Sequence, residues 1–188
     1  MTKTSMSRFP IHDDLTAPDG SVPVLRGALT TAGQLPNFLG VIAGAPAALR
    51  GYARFRAELR RGSLGVATLE RIALAVAELY GSRPGLALHT RTARGAGLGI
   101  DDIALAREWD ARDPRDAALM RYLHAVADAG ASTPMHLHEE ALEAGWSHEQ
   151  LLDAIAYLAL ESFTAMVNVA GDVPVDGSFE ETRQLRAA

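Results

Sequence analysis

The 188-residue chain contains no cysteine, so disulfide bonds, thiolate catalysis and thiolate metal sites are excluded. Aromatic residues are also few, at 6% of the sequence, although 48% of all residues are apolar. No apolar run reaches the roughly eighteen residues of a membrane span, and the N-terminal segment MTKTSMSRFPIHDD lacks the apolar centre of a signal peptide. We therefore expect a cytoplasmic protein that does not enter a membrane.

The chain also lacks a concentrated basic segment. Its formal net charge is -5, with arginines scattered among acids. The densest basic stretch, RFRAELRR at residues 54–61, is interrupted by Glu58 and is typical of a solvated helix face. Because phosphate binding needs a concentrated basic surface, we expect no nucleic-acid partner.

The length fits one domain with a short appended arm. Residues 1–22 are polar and broken by Pro10, Pro18 and Gly20, which predicts an extended arm. Residues 23–188 show helical periodicity and no convincing strand pattern, which predicts a single all-α domain, a compact multi-helix bundle built around helical hairpins. The last long helix, predicted at residues 149–168, is apolar on most sides, so we expect it to be central and to contribute to a subunit interface.

Residues 69–80 form an apolar run that is too long for a strand and predicts a buried amphipathic helix. Its predicted solvent face carries Arg71 and Glu78, which are seven positions apart. The predicted core face consists of Leu69, Ile72, Ala73, Val76 and Tyr80. Glu70 lies at the boundary between these faces, where a carboxylate is costly unless it is paired or hydrogen-bonded.

A second helix is predicted from Pro84 to about Ala96, with Ser82 or Arg83 near its cap. His89 lies on its small apolar side and is expected to face the first helix of this hairpin. Two interpretations stay open from the residues alone. Glu70 and His89 either hold two helices in register as a satisfied buried pair, or they form a functional site.

The hairpin has a recognisable spacing: Glu70, eleven residues, then Ser82-x-x-Gly85-x-x-x-His89. It resembles the core of the alkylhydroperoxidase D-like and carboxymuconolactone decarboxylase superfamily, whose redox members carry Glu, eleven residues, then Cys-x-x-Cys-x-x-x-His. Residues 33–62 (GQLPNFLGVIAGAPAALRGYARFRAELRRG) are similar to the lead-in of that family, and residues 163–176 (FTAMVNVAGDVPVD) to its closing segment. Ser82 and Gly85 stand where the two cysteines would be.

The resemblance implies two candidate functions. The decarboxylase branch lacks the thiols and has a segment similar to Arg83-Pro84-x-Leu86-x-Leu88-His89, which implies cofactor-free acid-base chemistry on a small carboxylate or lactone. Glu70 and His89 would then be catalytic, while Arg83 and Ser82 would bind the substrate, with Arg83 holding its carboxylate. The alternative is a non-catalytic descendant of the peroxidases that binds a small molecule or a partner protein.

A third hypothesis is an enzyme assisted by a metal or cofactor whose ligands the sequence does not reveal. Family members are commonly oligomeric, so the resemblance also implies a homo-oligomer.

Three further sets of polar residues are candidates for a site or for packing. His136 and His138 point to different sides of a predicted helix, and His136 with Glu140 gives only two ligands, so we expect no metal site there. His124 is predicted to be a packed histidine. Asn168 either caps a helix C-terminus or belongs to the family-like closing segment.

A weak internal repeat relates the segment that begins at Ala96 to the one that begins at Ala144. The first reads AGLGIDDI and the second AGWSHEQL. Each predicts one helix that ends at a glycine and another that starts directly after it, with acidic residues early in the new helix.

The missing thiols give the first testable prediction: the protein has no peroxidase activity above background with any dithiol reductant. A serine hydroxyl has no sulfenic acid or disulfide chemistry, so Ser82 cannot replace a cysteine in a redox cycle. The measurement is peroxide-dependent consumption of a dithiol at several protein concentrations. Consumption proportional to protein concentration would refute it.

Overall fold

The computed structural model describes residues 7–32, 34–128 and 132–177, which form nine α-helices and contain no β-strand. The helices are α1 (Val22–Ala32), α2 (Asn37–Ile42), α3 (Pro46–Leu59), α4 (Val66–Leu79), α5 (Arg83–Gly95), α6 (Ile100–Arg107), α7 (Pro114–Ala127), α8 (Met135–Glu143) and α9 (His148–Gly171). The predicted all-α class is confirmed.

The described part of the N-terminal arm, residues 7–21, contains no helix or strand. Its backbone is nevertheless bound to the domain, because the Arg8 amide donates to the Gly171 carbonyl at 2.7 Å and the His12 amide donates to the Gly40 carbonyl at 3.0 Å. The arm thus crosses from the end of α9 to α2. Residues 1–6 of the predicted arm lie outside the described residues.

Helix α9 is the centre of the bundle, as predicted, and packs against α2, α3, α4, α5 and α7. Among the described residues it is the one helix long and apolar enough to cross a membrane, but 44% of its most apolar window is buried inside the protein. A core helix has the same properties. One side of α9 exposes Leu152, Met166 and Val169. The cytoplasmic location and the homo-oligomer stay predictions.

Helices α4 and α5 form the predicted hairpin, joined by a very tight turn. Gly81 has φ of +65°, a conformation that other residues adopt only with strain. The Gly81 amide donates to the Glu78 carbonyl, and the Ser82 amide donates to the Ala77 carbonyl. Ser82 is at once the residue after this helix end and the N-cap of α5, where its Oγ accepts from the Gly85 amide at 3.3 Å. The predicted cap at Ser82 is confirmed.

Two details of the predicted α4 faces are wrong. Arg71 was placed on the solvent face, but its side chain is only 13% exposed and its Nη1 lies 3.1 Å from Asp116 Oδ2 on α7. Tyr80 was placed on the core face, but α4 ends at Leu79 and Tyr80 is 37% exposed. Glu78 does lie at the surface, paired with Arg107 at 2.8 Å.

The two copies of the sequence repeat share one backbone structure. Gly97 and Gly145 have φ of +91° and +94°. The residue after each glycine donates its amide to the carbonyl five positions earlier: Leu98 to Ala93, and Trp146 to Ala141. Both segments therefore end one helix and start the next in the same way, as predicted.

Candidate functional site

His89 lies between two buried carboxylates. Its Nδ1 is 3.0 Å from Glu70 Oε2, and its Nε2 is 3.4 Å from Glu161 Oε2. The side chains of His89, Glu70 and Glu161 are 10%, 11% and 8% exposed. We call these three residues the Glu70–His89–Glu161 cluster. Because each ring nitrogen faces a carboxylate oxygen, the arrangement suits a doubly protonated imidazolium that hydrogen-bonds Glu70 through Nδ1 and pairs with Glu161 through Nε2.

The protonation of this cluster is set by competition between burial and charge. Burial alone would lower the pKa of His89, but the carboxylates of Glu161 and Glu70 outweigh it and raise that pKa to about 9. Burial would likewise raise the pKa of Glu161, but its contacts with His89 and Tyr157 hold that pKa below its usual value. At neutral pH the cluster therefore contains an imidazolium beside an ionised Glu161.

Hydrogen bonds extend the cluster in both directions. Thr92 Oγ1 donates to Glu70 Oε2 at 2.5 Å, and Thr92 is exposed at the surface of α5. At the other end the buried Tyr157 hydroxyl bonds to Glu161, and burial followed by the charge of Glu161 raises the pKa of Tyr157. A continuous polar path thus runs from the surface at Thr92 through the cluster to Tyr157 in the core.

Helical spacing explains why these side chains meet. His89 and Thr92 are three residues apart on α5 and both reach Glu70 on α4. Tyr157 and Glu161 are four residues apart on α9 and share one face. Glu70 and His89 are predicted site residues, whereas Glu161 and Tyr157 are not. One signal was present: Glu161 is the only charged residue in the apolar stretch from residue 154 to residue 171.

Ser82 and Asn168 make a second buried polar contact, between α5 and α9. Asn168 Nδ2 donates to Ser82 Oγ at 3.2 Å. Asn168 is 4% exposed and Ser82 is 1% exposed. Within the described part of the chain, Asn168 Oδ1 has no hydrogen-bond partner. Asn168 is not a helix cap, because α9 continues to Gly171 and its C-cap is Asp172.

The position of the second family cysteine has no free space. A Cβ added at Gly85 would lie 2.9 Å from Ser82 Oγ and 3.1 Å from the Ala77 Cβ. Glycine therefore permits the close approach of α4 and α5 at this point. A larger residue at position 85 requires these neighbours to shift.

Arg83 and His124 lie away from the cluster. Arg83 is exposed at the start of α5, and within the described residues no hydrogen bond or ion pair joins it to the cluster. Its predicted role as a carboxylate clamp stays a prediction. His124 is exposed but stacks on Trp109, with ring centroids 5.1 Å apart, so it is packed on one face.

The histidines of α8 do not assemble a metal site within the described ranges, where no group of three or more His, Asp or Glu side chains could hold an ion. His138 stacks on His148 with centroids 5.7 Å apart, and Glu140 lies 3.5 Å from Arg121. That the protein works without a metal stays a prediction.

Comparison with known proteins agrees with this fold. Residues 46–129 match the model of the carboxymuconolactone decarboxylase family. No curated protein matches the chain in sequence.

Among solved structures, a peroxidase-related protein from Ralstonia eutropha with an alkylhydroperoxidase AhpD core superposes with a TM-score of 0.80 at 18% identity, covering 93% of this chain and 95% of that one. A peroxidase-related protein from Silicibacter gives a TM-score of 0.78 at 17% identity, covering 95% and 97%. The debrominase Bmp8 in complex with 2,3,4-tribromopyrrole gives a TM-score of 0.74 at 16% identity, covering 97% and 98%.

At 16–18% identity these structural similarities show the fold alone. The family model matches residues 46–129 only. The chain therefore has an alkylhydroperoxidase D-like fold, its residues 46–129 match the model of the carboxymuconolactone decarboxylase family, and it contains no cysteine.

Proposed function

We propose that this protein is a cofactor-free acid-base enzyme that acts on a small carboxylate or lactone, with His89 as its proton donor. The observation that carries the proposal is the imidazole held between Glu70 and Glu161. The structurally similar debrominase, which binds a small halogenated pyrrole, supports a small organic molecule as the kind of ligand.

The energetics of the cluster favour a functional role over a structural one. Removing an ion from water costs several kcal/mol even after relaxation, and three ionisable side chains are buried together here. Apolar residues of similar size would join α4, α5 and α9 at lower cost. Two carboxylates around one imidazole also place more negative charge in the core than a single helix-helix contact requires.

The protonation state fits a general acid. With its pKa raised to about 9, His89 is protonated at neutral pH. It can therefore donate a proton at the start of the reaction cycle. The Nε2 proton faces the longer contact, 3.4 Å from Glu161, so it is the proton held less tightly. It would be transferred to a carbanion or enolate carbon, formed when the substrate loses carbon dioxide or when a lactone isomerises.

The remaining groups complete the cycle. Glu70, bound to Nδ1 at 3.0 Å, fixes the ring orientation and keeps the Nδ1 proton in place. After donation His89 is neutral and must regain one proton. That proton returns from solvent to Nε2, while Glu70 and Thr92 hold the ring through Nδ1.

One observation favours the alternative, a non-catalytic protein that binds a small molecule or a partner. The cluster residues and Ser82 are all buried, and Gly85 leaves no room for a side chain. A protein of this kind would bind its ligand or partner without turnover. The next experiment separates the two functions because binding alone does not exchange carbon-bound hydrogen.

The enzyme is tested by following proton transfer to carbon in D2O. We expect catalysed exchange of the hydrogens next to the carbonyl in at least one member of a panel of small keto acids, carboxylates and lactones, measured by NMR. His89→Leu should lower the exchange rate by about 100-fold or more, the usual size of a general-acid contribution.

Glu78→Gln is the matched control, since it removes an exposed carboxylate from the same helix as Glu70. It should leave the rate unchanged. Exchange that is equal in wild type and in His89→Leu would contradict the proposal.

A second prediction concerns folding stability, measured by chemical denaturation at neutral pH. His89→Leu should lower the free energy of unfolding by about 3–5 kcal/mol, because it leaves two buried carboxylates without their shared cation. The triple variant Glu70→Leu, His89→Leu, Glu161→Gln removes the charges together and keeps an acceptor for Tyr157. We expect it to recover most of this loss, or to exceed wild type, while remaining inactive.

This prediction distinguishes a site from a structural pair. A triple variant that is no more stable than His89→Leu would mean that the cluster itself stabilises the fold.

A further inference from the structure

A second positive charge faces the buried site from α3. Arg56 shares a helix face with Leu49, Tyr52 and Leu59, at three- and four-residue spacing. Leu49 is 0% exposed and Leu59 is 9% exposed, so this is the core-facing side of α3. Arg56 is half-buried on that side. The expectation that residues 54–61 form a solvated face is therefore wrong for Arg56.

Two contacts, one in the middle of α3 and one just beyond its end, fix the register of α3 against α9. The Ser63 amide and Oγ, just beyond the end of α3, donate to Asp153 Oδ2 at 2.8 Å and 2.7 Å. In the middle of α3, the ring of Tyr52 lies 6.2 Å from that of Phe163. The two helices therefore run antiparallel.

This register sets Arg56 opposite the part of α9 between Asp153 and Phe163, which carries Tyr157 and Glu161. The electrostatic effect of Arg56 is felt at both of these residues, where its charge favours the ionised form.

The guanidinium of Arg56 forms no direct ion pair or hydrogen bond with the described residues around it. Within residues 7–32, 34–128 and 132–177, no carboxylate forms a direct ion pair with Arg56, and no acceptor takes a hydrogen bond from it. Glu161 is already engaged by His89 and by the Tyr157 hydroxyl. Arg56 therefore acts on Glu161 and Tyr157 from a distance, and its five N–H donors stay available.

We propose that Arg56 is the anchor for a substrate carboxylate beside the Glu70–His89–Glu161 cluster. This inference rests on the proposed function and narrows its substrate class to molecules that carry a free carboxylate, including lactones with a carboxylate substituent. The planar guanidinium matches a carboxylate with two parallel hydrogen bonds, and partial burial strengthens them. The bound carboxylate accepts hydrogen bonds from the N–H groups of Arg56, and the rest of the molecule extends towards His89.

The test uses benzoate as an anionic probe and benzamide as its neutral, similarly shaped counterpart, with binding measured by calorimetry on the full chain. Wild type should bind benzoate about tenfold or more tightly than benzamide, the usual size of a charge-assisted hydrogen bond. Arg56→Gln should lose this preference, and Arg56→Lys should keep part of it because it retains the charge without the fork. Arg54→Gln, an exposed arginine of the same helix, is the matched control and should bind as wild type does.

Three results would overturn the inference. Benzoate and benzamide could bind wild type equally, or not at all. Arg56→Gln could retain the preference for benzoate. Alternatively Arg83→Gln, rather than Arg56→Gln, could abolish it, which would restore Arg83 as the anchor.

The outcome is separable from that of the proton-exchange experiment. Exchange that depends on His89 without benzoate binding at Arg56 would leave the proposed function standing and reject the anchor. Benzoate binding at Arg56 without any catalysed exchange would keep the binding site and reject the enzyme.

Discussion

The structure depends on one imidazole that bonds to acids from two other helices. His89 on α5 faces Glu70 of α4 and Glu161 of α9, and all three side chains are nearly closed to solvent. Neither carboxylate is stable in that position without the cation, and the cation is not stable there without them. The packing of α4, α5 and α9 is therefore tied to the protonation state of a single residue.

The chain around this contact is shaped to allow it. The turn at Gly81 makes Ser82 the cap of α5, which sets the start of that helix relative to α4. Gly85 then permits the close approach of the two helices, and His89 follows one turn later. In the redox members that these residues resemble, two cysteines occupy the equivalents of Ser82 and Gly85. In this protein a buried hydroxyl and a close helix contact lie at these two positions, and Glu161 lies on the far side of the His89 ring.

Local patterns are enough to predict that Glu70 and His89 meet. Glu70 and His89 are in a single hairpin, so helical periodicity and the glycine turn together bring them to the same interface, and Ser82 is a cap by local rules. Glu161 and Arg56 could not be placed in this way, because their relation to His89 depends on how α3 and α9 pack and not on nearby sequence.

The misplacement of Arg71 has the same cause. Its partner, Asp116, comes from α7, more than forty residues later in the chain. A helical wheel assigns a charged residue to solvent unless a partner is known, and here the tertiary structure supplies partners for Arg71, Glu70 and Glu161. A charged residue that interrupts an apolar helix indicates that a buried polar contact exists there. It does not identify the partner residue in another helix.

The central claim is that His89 is an imidazolium at neutral pH, and NMR of its ring nitrogens tests this most directly. With nitrogen-15 labelled histidine, both ring nitrogens of His89 should be protonated at pH 7 and should titrate together near pH 9, the value to which the two carboxylates raise the pKa. A neutral His89 ring at pH 7, with one protonated and one bare nitrogen, would contradict the account.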